Sequence, residues 1–139
     1  MTYLLDTNAC IAIINGRPET VRRRFEGVNR AGELIATSSI VLFELWYEVA
    51  KSQRPKVNAE RVATLLAGPL EILDFSTEDA EHAGRIRAAL EGAVNPIGAY
   101  DLLVAGQAIR HKATLVTANS SEFGRVRGLR LQDWAAPAR

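Results

Sequence analysis

Three acidic side chains stand beside or inside apolar segments, where an unpaired carboxylate is costly. Asp6 follows the apolar segment 3–5, Glu44 lies within the segment 39–46, and Asp101 precedes the segment 102–105. Removing a carboxylate from water without a partner is strongly unfavourable, and buried carboxylates are normally paired or bound to a metal. No basic residue adjoins any of the three in the sequence. We therefore predict that they share a bound cation.

The chemistry of these oxygen ligands favours Mg²⁺ or Mn²⁺. Hard divalent cations bind carboxylates and water, whereas zinc favours Cys and His. Cys10, His82 and His111 show no zinc-binding spacing. A cation held by carboxylates can activate water for phosphodiester hydrolysis. Taken singly, each acid also has a structural explanation (a strand-end turn, a salt bridge or a helix N-cap), but the set of three favours the metal.

Short apolar segments alternate with longer amphipathic ones along the chain. The predicted strands are 3–5, 34–36, 71–74, 114–117 and 129–131. The predicted helices are 8–15, 18–27, 39–50, 58–67, 76–91 and 100–111, with a polar connection at 51–57, a loop at 92–98 and a loose tail at 135–139. Strands separated by helices predict an α/β fold with a parallel sheet covered on both faces.

This predicted sheet brings the acidic residues toward one edge. Ligands of such folds gather outside the carboxyl ends of the strands. Asp6 lies at the end of the first strand, and Asn119 lies just past the strand 114–117. Asp101 opens a helix, whose dipole favours a carboxylate, and Glu44 lies about two turns into its helix. We expect these four side chains to converge on one rim.

Length, charge and cysteine content narrow the class of protein. The 139 residues fit one domain, 1–139, with a sizeable core. The net charge of +1 excludes a strongly basic, DNA-coating protein but permits a nuclease with a local basic rim. The single cysteine allows no internal disulfide, and no stretch approaches the roughly 18 apolar residues of a membrane span. We expect a cytoplasmic protein.

The candidate residues lie in four segments, 4–8, 38–45, 97–105 and 115–123, followed by the ending 128–134. In this order the segments resemble the motifs of the PIN-domain ribonucleases, and most closely those of the VapC toxins of bacterial toxin–antitoxin pairs. The resemblance spans nearly the whole chain. No single motif is very specific, but four in the right order are.

The resemblance implies a PIN-like α/β fold, with a central parallel sheet of about four to five short strands and helices on both faces. It implies a Mg²⁺- or Mn²⁺-dependent endoribonuclease in which Asp6, Glu44 and Asp101 are catalytic metal ligands and Asn119 is a further catalytic residue. The substrates would be structured RNAs, often transfer RNA, whose cleavage inhibits translation. The implied partners are a small antitoxin, a second copy of the chain in a homodimer, and promoter DNA through the antitoxin alone.

One position departs from the family pattern, because the fourth acid of many relatives is here Asn119. Glu122, three residues on, is an alternative fourth acid, and the choice between one and two metal ions stays open. A catalytically weak module that binds RNA or an antitoxin is the alternative function. A phosphatase with Asp6 as covalent nucleophile would need a second aspartate where this chain has Asn8.

Two groups outside the acidic set have several possible roles. The run Arg22–Arg24 is a solvated helix face, an RNA-phosphate contact or an antitoxin contact. Trp46 and Tyr47 are assigned to the core or to a dimer interface, with base stacking as the weaker alternative.

Overall fold

Five parallel strands form one sheet in the part of the chain that the structure describes. The structure is a computed structural model, and it describes residues 1–92 and 97–136. Its strands are β1 (Thr2–Leu5), β2 (Leu34–Ser38), β3 (Glu71–Leu73), β4 (Thr114–Val116) and β5 (Arg130–Gln132). They pair in the order β3-β2-β1-β4-β5, with Leu4 of β1 beside Ala36 of β2 and Leu115 of β4.

Helices connect these strands and cover the sheet. Those in the described segments are α1 (Thr7–Asn15), α2 (Glu19–Arg30), α3 (Ser39–Lys51), α4 (Pro55–Leu66), α5 (Thr77–Glu91), α6 (Ala99–Arg110) and α7 (Ser120–Phe123). The chain moves one way across the sheet from β1 to β3 and the other way from β3 to β5. Because crossovers between parallel strands are right-handed, the two sets of helices cover opposite faces. The connections that leave β1 and β4 diverge, which opens a crevice at their carboxyl ends.

The central strand β1 and its neighbour β4 contribute buried residues to the core, as their apolar sequences predict. Leu4 and Leu5 of β1 and Leu115 and Val116 of β4 are at most 1% exposed. Trp134, after β5, is equally buried and belongs to the same core. This close packing fixes the carboxyl ends of β1 and β4, from which the crevice opens.

Helices α5 and α6 form a tightly packed pair. A capping box opens α5, because Ser76 Oγ accepts from Asp79 N and Asp79 Oδ2 accepts from Ser76 N. The buried Asp79 carboxylate also accepts from Arg110, at the end of α6. Gly106 of α6 lies so close to α5 that an added Cβ would be 2.7 Å from Ala83 Cα. These contacts fix the position of α6 against α5.

The predicted α/β class and parallel sheet are confirmed, and the differences are shifted element ends and one additional short helix. Helix α4 begins at Pro55, because proline suits the first helical turn, so the predicted connection 51–57 is shorter. Helix α2 continues past Gly27, since the left-handed residue that follows it is Gly32. The short helix α7 has no predicted counterpart.

Two further predictions concern irregular segments and membrane spans. The predicted loop 92–98 and the predicted tail 135–139 lie partly outside the described residues. No helix in the described segments has the length and apolar character of a bilayer span.

Candidate active site

Asp6 lies where the central strand passes into a helix. Its backbone N donates to Val116 O of β4 at 3.1 Å, which continues the sheet. Its side chain caps α1, with Oδ1 accepting from Ala9 N at 2.8 Å. The Thr117 hydroxyl is a second hydrogen-bond partner of this carboxylate. Asp6 is only 6% exposed, so the strand end and the helix start together fix its position.

Glu44 reaches the same region from α3. Ser38, at the end of β2, caps this helix by accepting from Ile40 N at 3.0 Å. Glu44 lies in the second turn and is half-buried. Its Oε1 accepts a 2.7 Å hydrogen bond from Thr7 Oγ1. Because Thr7 directly follows Asp6, this bond holds the Glu44 carboxylate beside the end of β1.

Asp101 enters from α6, on the other side of the crevice. It lies in the first turn of the helix, where the positive end of the helix dipole favours a carboxylate. Its half-buried side chain turns back over the helix start, since a Cβ built on Gly98 would lie 3.6 Å from Asp101 Oδ2. Helix α6 also contacts α3, the helix that carries Glu44.

The three carboxylates line one cavity of about 560 Å³, which we call the acidic cavity. Its wall also contains Thr7, Asn8, Ile11, Phe43, Tyr47, Glu48 and Tyr100. The cavity lies at the carboxyl ends of the strands, where ligands of parallel sheets bind. Acids from three distant segments thus line one space large enough for an ion, water and part of a substrate.

The acidic cavity concentrates negative charge. Burial raises the pKa of Asp101 to about 6, and the charges of Glu122, Asp6 and Glu44 contribute in the same direction. Burial is also the main reason why the pKa of Asp6 is raised, against the two hydrogen bonds described above, with smaller contributions from Glu44 and Asp133. Among the described residues no Lys or Arg lines this cavity. A bound cation would supply the missing counter-charge.

The oxygen donors suit a hard divalent cation, although the free side chains are not gathered as a ligand cluster. Within the described residues, no three His, Cys, Asp or Glu side chains stand close enough together to hold a metal ion. The hydrogen bond from Thr7 holds the Glu44 carboxylate, and like charges repel one another. Mg²⁺ commonly binds only one or two carboxylates and keeps several waters. The residues therefore fit a Mg²⁺ or Mn²⁺ site completed by water and substrate phosphate.

Asn119 lies at the same edge of the sheet but does not line the acidic cavity. Its Nδ2 donates to Glu122 Oε2 at 2.5 Å, and its backbone N donates to Thr117 Oγ1 at 2.9 Å. Glu122 Oε1 in turn accepts from Gly98 N at 3.1 Å, at the start of α6. Asn119 therefore reaches the acidic set through Thr117 and Glu122 rather than by facing the cavity itself.

Phe43 and Tyr100 are two cavity residues that the sequence patterns do not predict. Each directly precedes one of the acids, Glu44 or Asp101, and that adjacency is the available signal. Their ring centroids lie 5.4 Å apart, so the two aromatic side chains meet across α3 and α6. Tyr47, one helical turn after Phe43, lies on the same wall.

The run Arg22–Arg24 lies on α2 and does not line the acidic cavity. Arg22 Nη2 donates to Ile13 O near the end of α1 at 2.6 Å. Arg23 Nη2 lies 2.8 Å from Glu19 Oε1, one turn earlier on the same helix. These bonds favour a structural role for the first two arginines over a contact with RNA.

Two comparisons of sequence relate the chain to known proteins. A model of the PIN domain matches residues 3–129. The tRNA(fMet)-specific endonuclease VapC of Salmonella typhimurium is 40% identical over 134 residues, which cover 96% of this chain and 98% of the relative. Ribonuclease VapC2 of Rickettsia felis is 42% identical over 134 residues, with the same coverage of 96% and 98%.

Solved structures have the same fold. VapBC2 of Rickettsia felis, bound to a DNA fragment from its promoter, matches with a TM-score of 0.89 and 40% identity over 95% of this chain and 98% of that chain. DNA-bound VapBC of Salmonella typhimurium matches with a TM-score of 0.87 and 40% identity over 96% and 98%. The chain therefore belongs to the PIN-domain family, among its VapC-type ribonucleases.

Proposed function

We propose that this protein is a Mg²⁺- or Mn²⁺-dependent endoribonuclease, the toxin of a type II toxin–antitoxin pair, which cleaves structured RNA, including transfer RNA, and so inhibits translation. The observation that carries the proposal is that Asp6, Glu44 and Asp101 line one cavity at the carboxyl ends of the strands. Relatives named as a ribonuclease and as a tRNA-specific endonuclease support RNA as the substrate class.

Each residue of the site has a definable task in this reaction. Asp6, Glu44 and Asp101 would hold the cation, which when bound would neutralise phosphate charge and activate water. Thr7 orients Glu44 through its 2.7 Å hydrogen bond. The Ala9 amide and the Thr117 hydroxyl orient Asp6. Because water is the nucleophile, the ribose 2′-hydroxyl beside the cleaved bond takes no part in the chemistry.

The proposed partners follow from the relatives. Solved structures of VapBC complexes at 40% identity support a small antitoxin as the inhibitor. Both complexes are bound to DNA, a promoter fragment in the Rickettsia felis structure, which supports DNA binding of the complex, and we assign this binding to the antitoxin. We further propose a homodimer that acts in the cytoplasm. The chain has a single cysteine, Cys10, and therefore no internal disulfide, which fits a reducing compartment.

The test removes one carboxylate without changing its shape. In Asp6→Asn the amide oxygen can still accept from Ala9 N, so the fold should survive. We expect the loss of at least about two orders of magnitude in RNA cleavage, since a metal ligand in the reaction is lost. The measurement is cleavage of transfer RNA in Mg²⁺ or Mn²⁺, with and without EDTA.

Asp74→Asn is the matched control, because Asp74 is exposed at the end of β3 and does not line the acidic cavity. This variant should cleave RNA like the unmodified protein. Full activity of Asp6→Asn, or cleavage that persists in EDTA, would contradict the proposed mechanism.

A catalytically weak binding module is the second candidate, and the amide at Asn119 favours it. This residue supplies no charge and is engaged with Glu122. Metal titration separates the two functions. An enzyme gives product at a rate that depends on Mg²⁺ or Mn²⁺, whereas a binding module gives saturable RNA binding and no product.

A further inference from the structure

The acidic cavity has one aromatic side. Phe43 and Tyr100 line it, yet they are 54% and 47% exposed. Their ring planes are inclined at 56° with centroids 5.4 Å apart, so neither ring covers the face of the other as a parallel stack would. Large aromatic side chains left half in water at a concave site indicate a surface that is covered when a ligand binds.

Each of these aromatic residues is the sequence neighbour of one of the acids. Phe43 directly precedes Glu44, and Tyr100 directly precedes Asp101. A phosphate drawn to a cation at the carboxylates would place the base of the same or the next nucleotide against the aromatic side. Unpaired bases of RNA commonly stack on aromatic side chains in this way.

We propose that Phe43 and Tyr100 form a stacking platform for one unpaired base of the RNA beside the cleaved phosphodiester. The platform makes them specificity-determining residues, and it rests on the ribonuclease function proposed above. Stacking also suits the charge of the site. No Lys or Arg among the described residues lines the cavity, so contact through an uncharged base adds affinity where the carboxylates repel the RNA backbone.

Tyr47 is less suited to this role, although it lines the same wall. Lys51 Nζ lies 4.8 Å from the centroid of the Tyr47 ring and 3.2 Å from Glu48 Oε1. The ammonium group therefore covers one face of Tyr47 and is held there by a carboxylate. Phe43 and Tyr100 contact each other with their faces inclined, which leaves face area open to a base.

A second copy of the chain is the competing occupant of these rings. Trp46, on the same helix as Phe43, is 41% exposed but does not line the acidic cavity. A protein interface across the exposed side of α3 would include Trp46, whereas a base held beside the acids needs only the cavity rings. Trp46→Leu is therefore the matched control for Phe43→Leu.

The experiment measures stacking separately from cleavage. The parent is Asp6→Asn, which should bind RNA without cutting it, and the probe is a single-stranded RNA heptamer with 2-aminopurine at its centre, in Mg²⁺. Binding should quench the probe. In this background Phe43→Leu and Tyr100→Leu should bind about five- to a hundredfold more weakly, the usual contribution of one stacked base. Phe43→Tyr, Tyr100→Phe and Trp46→Leu should bind like the parent.

A second heptamer, whose central nucleotide is abasic, sharpens the test, and its binding is followed by anisotropy. Both leucine variants should bind this RNA as tightly as the parent does, because there is no base to stack. Unquenched binding by the parent, or unchanged affinity in the leucine variants, overturns the platform. Equal losses in Phe43→Leu and Trp46→Leu, together with dissociation of the protein on size-exclusion chromatography, assign the rings to a protein interface and also overturn it.

Cleavage of transfer RNA by the unmodified protein distinguishes this failure from failure of the proposed function. If the unmodified protein cleaves transfer RNA but the Asp6→Asn parent does not quench the probe, the nuclease function is supported and the platform is contradicted. Quenching that depends on both rings, without any cleavage of transfer RNA by the unmodified protein, supports base stacking on the two rings and contradicts the nuclease function.

Discussion

At the scale of one residue, Asp101 shows how burial and neighbouring charge would favour the cation that we propose. Burial and the surrounding carboxylates raise its pKa from 3.8 to about 6, so the protein holds a proton there that an exposed aspartate would release. A proton and a metal ion compete for the same oxygens. Metal binding should therefore depend on pH in a range where ordinary carboxylates no longer titrate.

We expect the affinity for Mg²⁺ to fall as pH drops below about 6, by up to about tenfold per pH unit. Calorimetric titration of the protein with Mg²⁺ between pH 5 and 8 measures this dependence. Glu122→Gln should move the midpoint of this pH dependence to lower pH, because the charge of Glu122 raises the pKa of Asp101 more than any other charge does.

Glu71→Gln is the control for this charge effect, since Glu71 is exposed on β3 and is not among the groups that act on Asp101. Its midpoint should equal that of the unmodified protein. A midpoint that stays in place in Glu122→Gln would show that the charge of Glu122 does not govern the site.

At the scale of elements, the crossing of α5 and α6 decides where Asp101 stands. Gly106 is the contact point, because an added Cβ would lie 2.7 Å from both Ala83 Cα and Ala83 N. These are backbone atoms, so the contact cannot be relieved by rotating a side chain. Any side chain at this position must push the two helices apart.

Gly106→Ala should therefore lower the free energy of unfolding by about 1–3 kcal/mol, the usual range for overpacking, and should reduce cleavage by displacing α6. Gly84→Ala on α5 is the control, since an added Cβ there meets nothing within 4 Å. This control should gain up to about 1 kcal/mol from the better helix propensity of alanine. Urea unfolding measures the stability of both variants. An unfolding midpoint of Gly106→Ala equal to that of the unmodified protein would refute the close crossing of the helices.

Elements whose signals are local could be predicted from the sequence, and contacts between elements could not. The capping box from Ser76 to Asp79 is a local pattern, and the structure contains it. The position of Asp6 at a strand end also followed from the apolar segment before it. The contact of Phe43 with Tyr100 depends on the packing of α3 against α6, for which no short pattern exists.

The same reasoning explains Asn119. Its position past β4 could be predicted, but its side chain points to Glu122 because the short helix α7 begins there. A helix of four residues carries almost no periodic signal, so the direction of this amide depends on tertiary structure. The sequence thus indicates which residues gather at the edge, while packing decides which of them face the cavity.

For the whole molecule, the charge in the acidic cavity that would bind a cation also lowers the stability of the fold. Because the pKa of Asp101 is higher in the folded protein than the value of 3.8 expected when unfolded, the folded state binds the proton more tightly. The ionised Asp101 carboxylate therefore lowers the stability of the fold. This loss of stability is absent below about pH 3.8, grows as pH rises toward about 6, and is complete above that. At neutral pH without metal, the fold carries this unfavourable charge, which is typical of sites built to bind a cation.

Asp101→Asn should consequently raise the melting temperature of the metal-free protein at pH 7 and leave it nearly unchanged at pH 4, where the carboxylate is already largely protonated. Each kcal/mol regained corresponds to about 4 °C for a domain of this size. Mg²⁺ should stabilise the unmodified protein at pH 7 in proportion to its affinity, and this gain should be smaller in Asp101→Asn because one ligand is lost. Scanning calorimetry at both pH values, with Mg²⁺ and with EDTA, measures all four conditions. A variant that melts below the unmodified protein in EDTA at pH 7 would show that the Asp101 carboxylate stabilises the fold, and that the site is not strained by its own charge.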